Sequence, residues 1–381
     1  MESGFGFGSL WSGGLIYVLP FLFVLTIIVF FHELGHYLVA RWCGIRSLAF
    51  SVGFGPEIIG FNDKHGTRWK LSAIPLGGYV KFLGDENAAS TPDRGAVDQM
   101  SAEEKREAFP TASVSRRAAT VAAGPLANFI LSIVIFACVA YVNGRTVADP
   151  IVASVVEGSP AAAAGFAAGD RIVSMDGEPV TYFSDLQNYV TGHGEQPITV
   201  TVDRGGREID LDVTPKIEAR DDGFGKTYNV PIIGLVADAE SSSFRTESLG
   251  PVAAVGYGVE QTWFVTTRTV DFIGQVITGR QSADQIGGPI RIAQVSGEVS
   301  NFGIGALLNL AALLSVSIGL LNLLPIPMLD GGHLLFYAFE AVRGRPLSEQ
   351  VQEVGFRIGL ALVMMLMVFA FWNDLSGLGG A

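Results

Sequence analysis

The sequence has few charged residues, only two cysteines and no cluster of basic residues. Charged residues make up 16% of the 381 positions and the net charge is −12, so the basic surface that a nucleic-acid partner needs is missing. The two cysteines, Cys43 and Cys138, lie in or beside apolar segments without C-x-x-C spacing, which argues against a disulfide framework and a thiolate metal site. Because only 16% of the residues are charged and the mean hydropathy is +0.39, much of the apolar surface is predicted to face a lipid bilayer.

Four apolar segments are long enough to cross that bilayer. A spanning helix needs about 20 mostly apolar residues, because each residue adds about 1.5 Å to a path of about 30 Å. The segments cover residues 15–40, 118–142, 304–328 and 350–372. The first continues through a polar His-Glu pair and has no basic residue before it, so we interpret it as a retained helix and not as a cleaved signal peptide.

The basic residues predict the orientation of these segments. No Lys or Arg precedes the first segment or follows the fourth, whereas the connections after the first and third carry Arg41, Arg46, Arg116, Arg117, Arg343 and Arg345. Because short loops rich in Lys and Arg stay in the cytoplasm, we expect both connections to be cytoplasmic. Both termini and the stretch 143–303 are then predicted to lie on the outer side.

The loop at 44–116 is predicted to be rich in β-structure. Its runs at 47–55 and 69–83 contain many glycines and aromatic residues, and 75–80 is too apolar for a solvated turn. A strand edge is tolerated at membrane depth only where it lies against protein or a water-filled cavity. We therefore expect this sheet to enter the membrane beside the helices, and 85–107 to be a solvated linker.

A separate α+β module is predicted at 147–216. Ser159-Pro160 opens a short helix that ends at Gly165, Asp176-Gly177 indicates a hairpin, and 198–202 alternates as a half-exposed strand does. The following stretch, 217–303, is predicted to be a linker with a possible strand at 232–236. It also contains an amphipathic helix at 252–277, which we expect on the membrane surface.

The most informative motif is H-E-x-x-H at residues 32–36. On a helix, His32 and His36 share one face and can bind a single cation, with Glu33 beside them. Zn²⁺ suits two neutral imidazoles and leaves a position for water, whose proton Glu33 can accept. Polar side chains inside an apolar span are costly, so they require a function there; the alternative is a polar cap at the end of the span.

The segment 322–333 is predicted to provide a third metal ligand. The first and third spans run in the same direction, so Asp330 and His333 are expected at about the depth of the histidine pair. Pro325 and Pro327 are predicted to break the helix beside the metal. From the residues alone, either Asp330 or His333 could be the ligand, or Asp330 could cap the end of the helix.

Asn128 and Asn322 both lie in apolar spans. Asn322 could bind the substrate backbone or a developing oxyanion, or it could hydrogen-bond between helices, and both interpretations stay open. Asn128 follows Gly124-Pro125 in the second span, where close helix packing is the predicted role of this group.

Several motifs together resemble the site-2 protease family, in particular its bacterial branch of regulator-of-sigma-E proteases. They are the H-E-x-x-H motif, P-L-G-G-Y-V-K at 75–81, G-P-x-x-N at 124–128 and N-x-x-P-x-P-x-L-D-G-G at 322–332. The pattern S-P-A-x-x-A-G-x-x-x-G-D-x-I at 159–172 resembles a circularly permuted bacterial PDZ domain. Well-known members of this branch have two such modules, and this sequence shows one.

The resemblance implies a zinc-dependent intramembrane endopeptidase of the bacterial inner membrane. It implies Zn²⁺ ligands at His32, His36 and Asp330, with Glu33 as the general base. Its substrates would be single-pass membrane proteins, such as an anti-sigma factor, that another protease has already cleaved. An extended substrate would pair with the membrane-entering strand at Gly78, Tyr79, Val80, Lys81 and Phe82.

The sequence thus predicts a polytopic α-helical membrane protein with about four transmembrane helices. A membrane-associated β-rich loop and one periplasmic PDZ-like α+β domain complete the expected fold. The predicted segments are 1–43, 44–116, 117–143, 147–216, 217–303, 304–332 and 350–373. Two other functions stay open: a non-catalytic scaffold that binds partner tails through the PDZ-like domain, and a metal transporter, which would need more polar residues in the second and fourth spans.

Overall fold

The computed structural model describes residues 7–85, 94–221, 227–237, 244–279 and 287–378. These residues form two compact units. The first, which we call the helical unit, joins the chain up to Val139 with Pro251–Asp374. The second contains Ala140–Gly250 together with the chain from Leu375 onward, and we call its part at Ala140–Gly250 the β domain.

Four helices of the described chain are long and apolar enough to cross a membrane, as the sequence predicts. They are α1 (Phe7–Trp42), α4 (Val114–Asn143), α9 (Ile304–Leu323) and α11 (Glu349–Leu378). Small residues let these helices approach closely: Ala311 and Ala312 of α9 are fully buried, together with Val24 and Ile28 of α1. Much of the remaining helix surface is exposed and apolar, as expected for a surface in contact with lipid.

The loop after α1 is an antiparallel hairpin of β1 (Ser47–Asn62) and β2 (Arg68–Phe82). Phe50 of β1 is buried and stacks on Trp69 of β2, with 4.1 Å between ring centroids. Both predicted strand runs are present. The predicted linker at 85–107 lies partly outside the described residues, and its described part contains two short helices, α2 (Arg94–Gln99) and α3 (Ala102–Glu107).

The third predicted span differs from the structure at its end. The predicted span reached residue 328, whereas α9 ends at Leu323 and a new helix, α10 (Asp330–Arg343), begins at the aspartate. Pro325 and Pro327 lie in the irregular connection, where proline cannot continue the hydrogen-bond ladder. Asp330 therefore begins a helix and does not cap the end of α9.

Two further helices of the helical unit occupy part of the predicted linker. They are α7 (Pro251–Ile277) and α8 (Pro289–Ser300). The predicted helix at 252–277 is therefore present. Its Gly258 lies against α4, where an added Cβ would be 3.1 Å from Ala137 N. At the start of α8, the backbone N–H groups of Gly288, Ile290 and Arg291 donate hydrogen bonds to the Asp374 carboxylate of α11.

The β domain is built on a four-stranded antiparallel sheet in the order β6-β5-β7-β8. Val152, Ile172, Val200 and Val202 are among its fully buried residues. The element bounds are β3 (Arg145–Ala148), β4 (Val152–Val155), α5 (Pro160–Ala164), β5 (Arg171–Met175), β6 (Glu178–Pro179), α6 (Phe183–His193), β7 (Ile198–Asp203), β8 (Glu208–Val213), β9 (Lys216–Asp221), β10 (Thr227–Ile232), β11 (Leu235–Ala237) and β12 (Phe244–Glu247).

The helix cap and the hairpin turn that the sequence predicts for this domain are both present. Ser159 caps α5 by accepting from Ala162 N, and Gly165 ends the helix with φ 88°. Asp176 and Gly177 both have positive φ, 46° and 83°, as a two-residue hairpin turn requires. The domain extends further than the predicted 147–216, however, because β11 pairs with β4 and β12 pairs with β3. The possible strand at 232–236 is interrupted between β10 and β11.

Candidate active site

Two histidines on α1 face each other across one helical turn. His32 and His36 are four residues apart, so their side chains project from the same face, and their Nε2 atoms lie 3.2 Å apart. Their side chains are only 12% and 11% exposed. Two neutral imidazoles that direct lone pairs at each other repel unless a proton or a cation lies between them. The pair is therefore arranged to share a positively charged ligand.

Asp330 completes a triangle with the two histidines. Its Oδ2 atom lies 3.2 Å from His32 Nε2 and 3.5 Å from His36 Nε2. Ligand atoms about 2.0 to 2.2 Å from a tetrahedral zinc ion are about 3.3 to 3.6 Å apart, so these three atoms fit around one such ion. Oδ2 is also buried without a hydrogen-bond partner in the described chain, and a cation would satisfy it. His333 lies outside this group.

The connection between α9 and α10 places Asp330 against the histidines. Gly331 and Gly332 pack so tightly against carbonyl groups of residues 323–326 that an added Cβ at either position would overlap them. Met328, two residues before Asp330, has φ 90°, which is a strained backbone conformation for a residue with a side chain. Such strain persists where the surrounding structure holds the segment in place.

Helix α4 contacts the other ring nitrogen of each histidine. His36 Nδ1 lies 2.9 Å from the backbone oxygen of Thr120, and His32 Nδ1 lies 3.2 Å from Asn128 Nδ2. Sequence reasoning assigned Asn128 to helix packing and missed this contact. The available signal was a polar side chain in the middle of an apolar span, which usually marks a functional site.

Glu33 lies against the hairpin at Gly78. Glu33 lines the same cleft as Val80 of β2. Gly78 allows this approach, because an added Cβ there would lie 3.1 Å from Glu33 Cγ and 2.8 Å from Val29 Cγ1. Glu33 thus lines one cleft with the histidine pair and with the strand that the family resemblance implies to bind substrate.

Comparison with known proteins gives the family. The sequence profile of Peptidase family M50 matches residues 20–366. The chain belongs to Peptidase family M50. Two relatives named "Putative zinc metalloprotease" come from Agrobacterium fabrum, 57% identical over 96% of this chain and 97% of the relative, and from Rhizobium meliloti, 54% identical over 98% and 100%. Metalloprotease MmpA of Caulobacter vibrioides is 42% identical over 96% of both chains.

Solved structures also match part of this M50 chain. Among them is the PDZ domain of an SdrC-like protein from Listeria monocytogenes, which aligns with 23% of this chain and 84% of that domain at 23% identity. Its TM-score of 0.19 is too low to support an argument about the fold. The PDZ-like character of the β domain therefore stays an expectation from its sequence motif.

A single cleft of about 180 Å³ is lined by His32, His36, Glu33 and Asp330 of this M50 chain. Of the predicted substrate-binding residues, Gly78, Tyr79, Val80 and Phe82 line the cleft and Lys81 does not. Asn322 does not line it either, and its Nδ2 donates to Ile318 O of its own helix. Its part in substrate binding stays a prediction. The cleft is otherwise lined by Val121, Met328 and His333.

Proposed function

We propose that the chain is a zinc-dependent endopeptidase that cleaves membrane-spanning segments of single-pass membrane proteins within the bilayer. The observation that carries this proposal is the convergence of His32, His36, Asp330 and Glu33 on one cleft between apolar helices. Family membership and relatives named zinc metalloproteases support the same activity.

His32, His36 and Asp330 would hold the metal through Nε2, Nε2 and Oδ2. Three protein ligands around a tetrahedral ion leave one position open, which is typical of catalytic and not of structural zinc sites. When bound, Zn²⁺ supplies Lewis-acid chemistry: it lowers the pKa of water, so that the water can lose a proton near neutral pH and attack a peptide carbonyl.

Glu33 is suited to proton transfer. It lies beside His32 on α1 and lines the cleft with the three ligands. Its carboxylate can accept a proton from the attacking water and then donate it to the leaving amine. Gly78 and Val80 of β2 line the same cleft as Glu33, so β2 lies beside this carboxylate.

The strand β2 offers an edge for an extended substrate. In the described chain β2 pairs with β1 in a sheet of two strands, and four of its residues at 78–82 line the cleft. A helical peptide bond is enclosed by its own hydrogen bonds, so a spanning substrate must unwind before it is cleaved. Pairing with a strand edge would satisfy the backbone groups that unwinding exposes.

The proposed location is the bacterial inner membrane, with both termini and the β domain on the periplasmic side. This arrangement follows from Arg41, Arg46, Arg116 and the basic third connection. The proposed substrates are anti-sigma-factor-like proteins that another protease has already trimmed.

Replacing Glu33 with glutamine tests the catalytic proposal. Because Gln cannot accept the proton, E33Q is expected to lower the cleavage rate about 10²- to 10⁴-fold while the purified protein keeps its zinc. The assay uses tagged single-span peptides with and without a chelator, and metal content is measured on the same samples. The control E260Q changes an exposed glutamate of α7 and should cleave normally.

Two results would contradict the proposal. One is full cleavage by E33Q. The other is a zinc-loaded wild-type protein that binds the peptides through its β domain but cleaves none of them, which would favour the scaffold function.

A further inference from the structure

Asn128 is a fully buried polar residue in the middle of α4, with none of its surface exposed. Its Nδ2 atom lies 3.2 Å from His32 Nδ1. Its Oδ1 atom is buried and has no hydrogen-bond partner in the described chain. One end of the side-chain amide thus contacts a candidate metal ligand, and the oxygen end has no donor.

The chemistry of metal binding decides which end of the amide should face His32. An imidazole that binds a cation through Nε2 must keep the lone pair on Nε2, so its proton is on Nδ1. That N–H needs an acceptor, and an amide nitrogen cannot accept a hydrogen bond. The oxygen and nitrogen ends of the amide have the same shape, so a half-turn of the side chain exchanges them and gives Oδ1 the donor that it lacks.

We propose that Asn128 is a positioning residue whose Oδ1 accepts a hydrogen bond from the Nδ1–H group of His32. This bond holds the Nε2 lone pair of His32 toward the metal. The inference rests on the proposed zinc site. It assigns to Asn128 a role toward His32 that the Thr120 carbonyl has toward His36, where the Nδ1 to O distance is 2.9 Å. Helix α4 would then orient both imidazoles, one through its backbone and the other through a side chain.

The position of Asn128 is itself fixed by neighbouring residues. Its backbone oxygen lies 3.1 Å from Ser132 Oγ on α4 and 3.0 Å from Ser315 Oγ on α9. Ser132 Oγ also lies 2.8 Å from Ala312 O of α9. Gly319 lets α9 pack directly against this point, since an added Cβ there would be 3.3 Å from Asn128 Cβ. A side chain anchored in this way can restrict the orientation of an imidazole.

The experiment measures zinc affinity in the full-length protein in detergent by competition with a chromogenic chelator. N128L keeps the size of the side chain but removes the acceptor, and it is expected to weaken zinc binding about 10- to 100-fold. N128D keeps an acceptor and is expected to bind zinc at least as tightly as the wild type. The control N309L makes the same Asn-to-Leu change elsewhere in an apolar span and should leave zinc affinity unchanged.

Substitution of Co²⁺ adds a spectroscopic signature that loss of stability alone would not change. The visible spectrum of Co²⁺-loaded N128L should differ from that of the wild type, whereas that of N128D should match it. The inference is overturned if folded N128L binds zinc with wild-type affinity, or if folded N128D loses it. If N128L does not fold, N128D alone decides between these outcomes.

Failure of the inference can be distinguished from failure of the proposed function. If H32A binds zinc as tightly as the wild type, the zinc site itself is wrong. If H32A loses zinc and N128L keeps it, only the role of Asn128 is wrong.

Discussion

At Gly124, helix α4 passes so close to His36 that there is no space for a side chain. An added Cβ would overlap the Nε2 atom of His36, the atom that faces the proposed metal. On the other side of the same contact, a Cβ on Gly35 would lie 2.7 Å from Ala127 Cβ and 2.9 Å from Ala123 C. Glycine at both positions allows the two helices to touch where the imidazole must be oriented. This close approach explains why the H-E-L-G-H and G-P-L-A-N sequences occur together.

Replacing Gly124 with alanine is expected to displace His36 and weaken zinc binding at least about 10-fold, the range found for perturbed metal-ligand shells. Alanine has a better helix propensity than glycine by about 1 kcal/mol, so the loss would not come from the helix itself. The measurement is zinc affinity, with helix content followed by circular dichroism.

The matched control is G256A on α7, where an added Cβ meets no atom within 4 Å. It should leave zinc affinity unchanged. Wild-type zinc affinity in G124A would show that His36 can move aside at no cost and that the close contact is unimportant for the site.

At the scale of elements, hydropathy predicted which segments span the membrane but not where a helix stops. An apolar run has the same pattern whether the chain is helical or extended, so the span was predicted to reach residue 328 although α9 ends at Leu323. Only Pro325 and Pro327 signalled the break. Helix α10 was missed because its basic end at Arg343 was interpreted as part of a loop. The two histidines were predictable because a helix fixes their spacing locally.

The irregular connection before α10 is covered by α11. An added Cβ on Gly359 would overlap the carbonyl oxygen of Pro327 and lie 2.6 Å from its carbon. Gly355, one turn earlier, is similarly close to Phe336, with a distance of 2.9 Å to Cζ. Helix α11 therefore supports the segment that positions Asp330, although no residue of α11 lines the cleft.

Substituting Gly359 with leucine is expected to separate α11 from this segment. Overpacking of this kind costs about 1 to 3 kcal/mol, so we expect a lower melting temperature and a lower cleavage rate. The control A361L adds a leucine at an exposed position of the same helix and should change neither. Unchanged activity and stability in G359L would show that the Pro327 segment adjusts freely to α11.

At the scale of the whole molecule, the extent of the β domain was the least predictable feature. Its strands β3 and β12 pair at Arg145 and Glu247, whose side chains form an ion pair of 3.0 Å. Nothing local in either strand indicates a partner about 100 residues away. The pairing of strands that are distant in the chain leaves no periodic pattern in the sequence between them. The turns and caps, which depend on adjacent residues, were predicted.

Within this domain, Asp170 links the end of α5 to β7. Its carboxylate accepts from Arg204 Nε and Nη2 at 2.7 Å each and from Ala167 N at 2.8 Å. Arg204 Nη2 also donates to Gly165 O. The Arg204 guanidinium holds the pKa of the Asp170 carboxyl below its usual range. A carboxyl whose pKa is lowered by folding stabilises the folded state above its unfolded pKa of about 3.9 and loses this contribution as pH falls through the lower folded pKa.

Replacing Asp170 with asparagine removes the charge and is expected to destabilise the β domain by about 1 to 2 kcal/mol at pH 7, a value reduced because the guanidinium is partly exposed to solvent. The measurement is amide hydrogen exchange of the β5 and β7 peptides in the full-length protein. Faster exchange is expected in D170N but not in D210N, which changes an exposed aspartate of β8. The difference between D170N and the wild type should begin to shrink below about pH 4, where the Asp170 carboxyl of the unfolded wild-type chain takes up a proton, and it should disappear as the pH falls through the lower folded pKa. Amides that are not adjacent to residue 170 have the same intrinsic exchange rates in both proteins at each pH, so their comparison isolates stability. A difference that did not shrink at all as the pH was lowered would mean that packing and not charge distinguishes aspartate from asparagine.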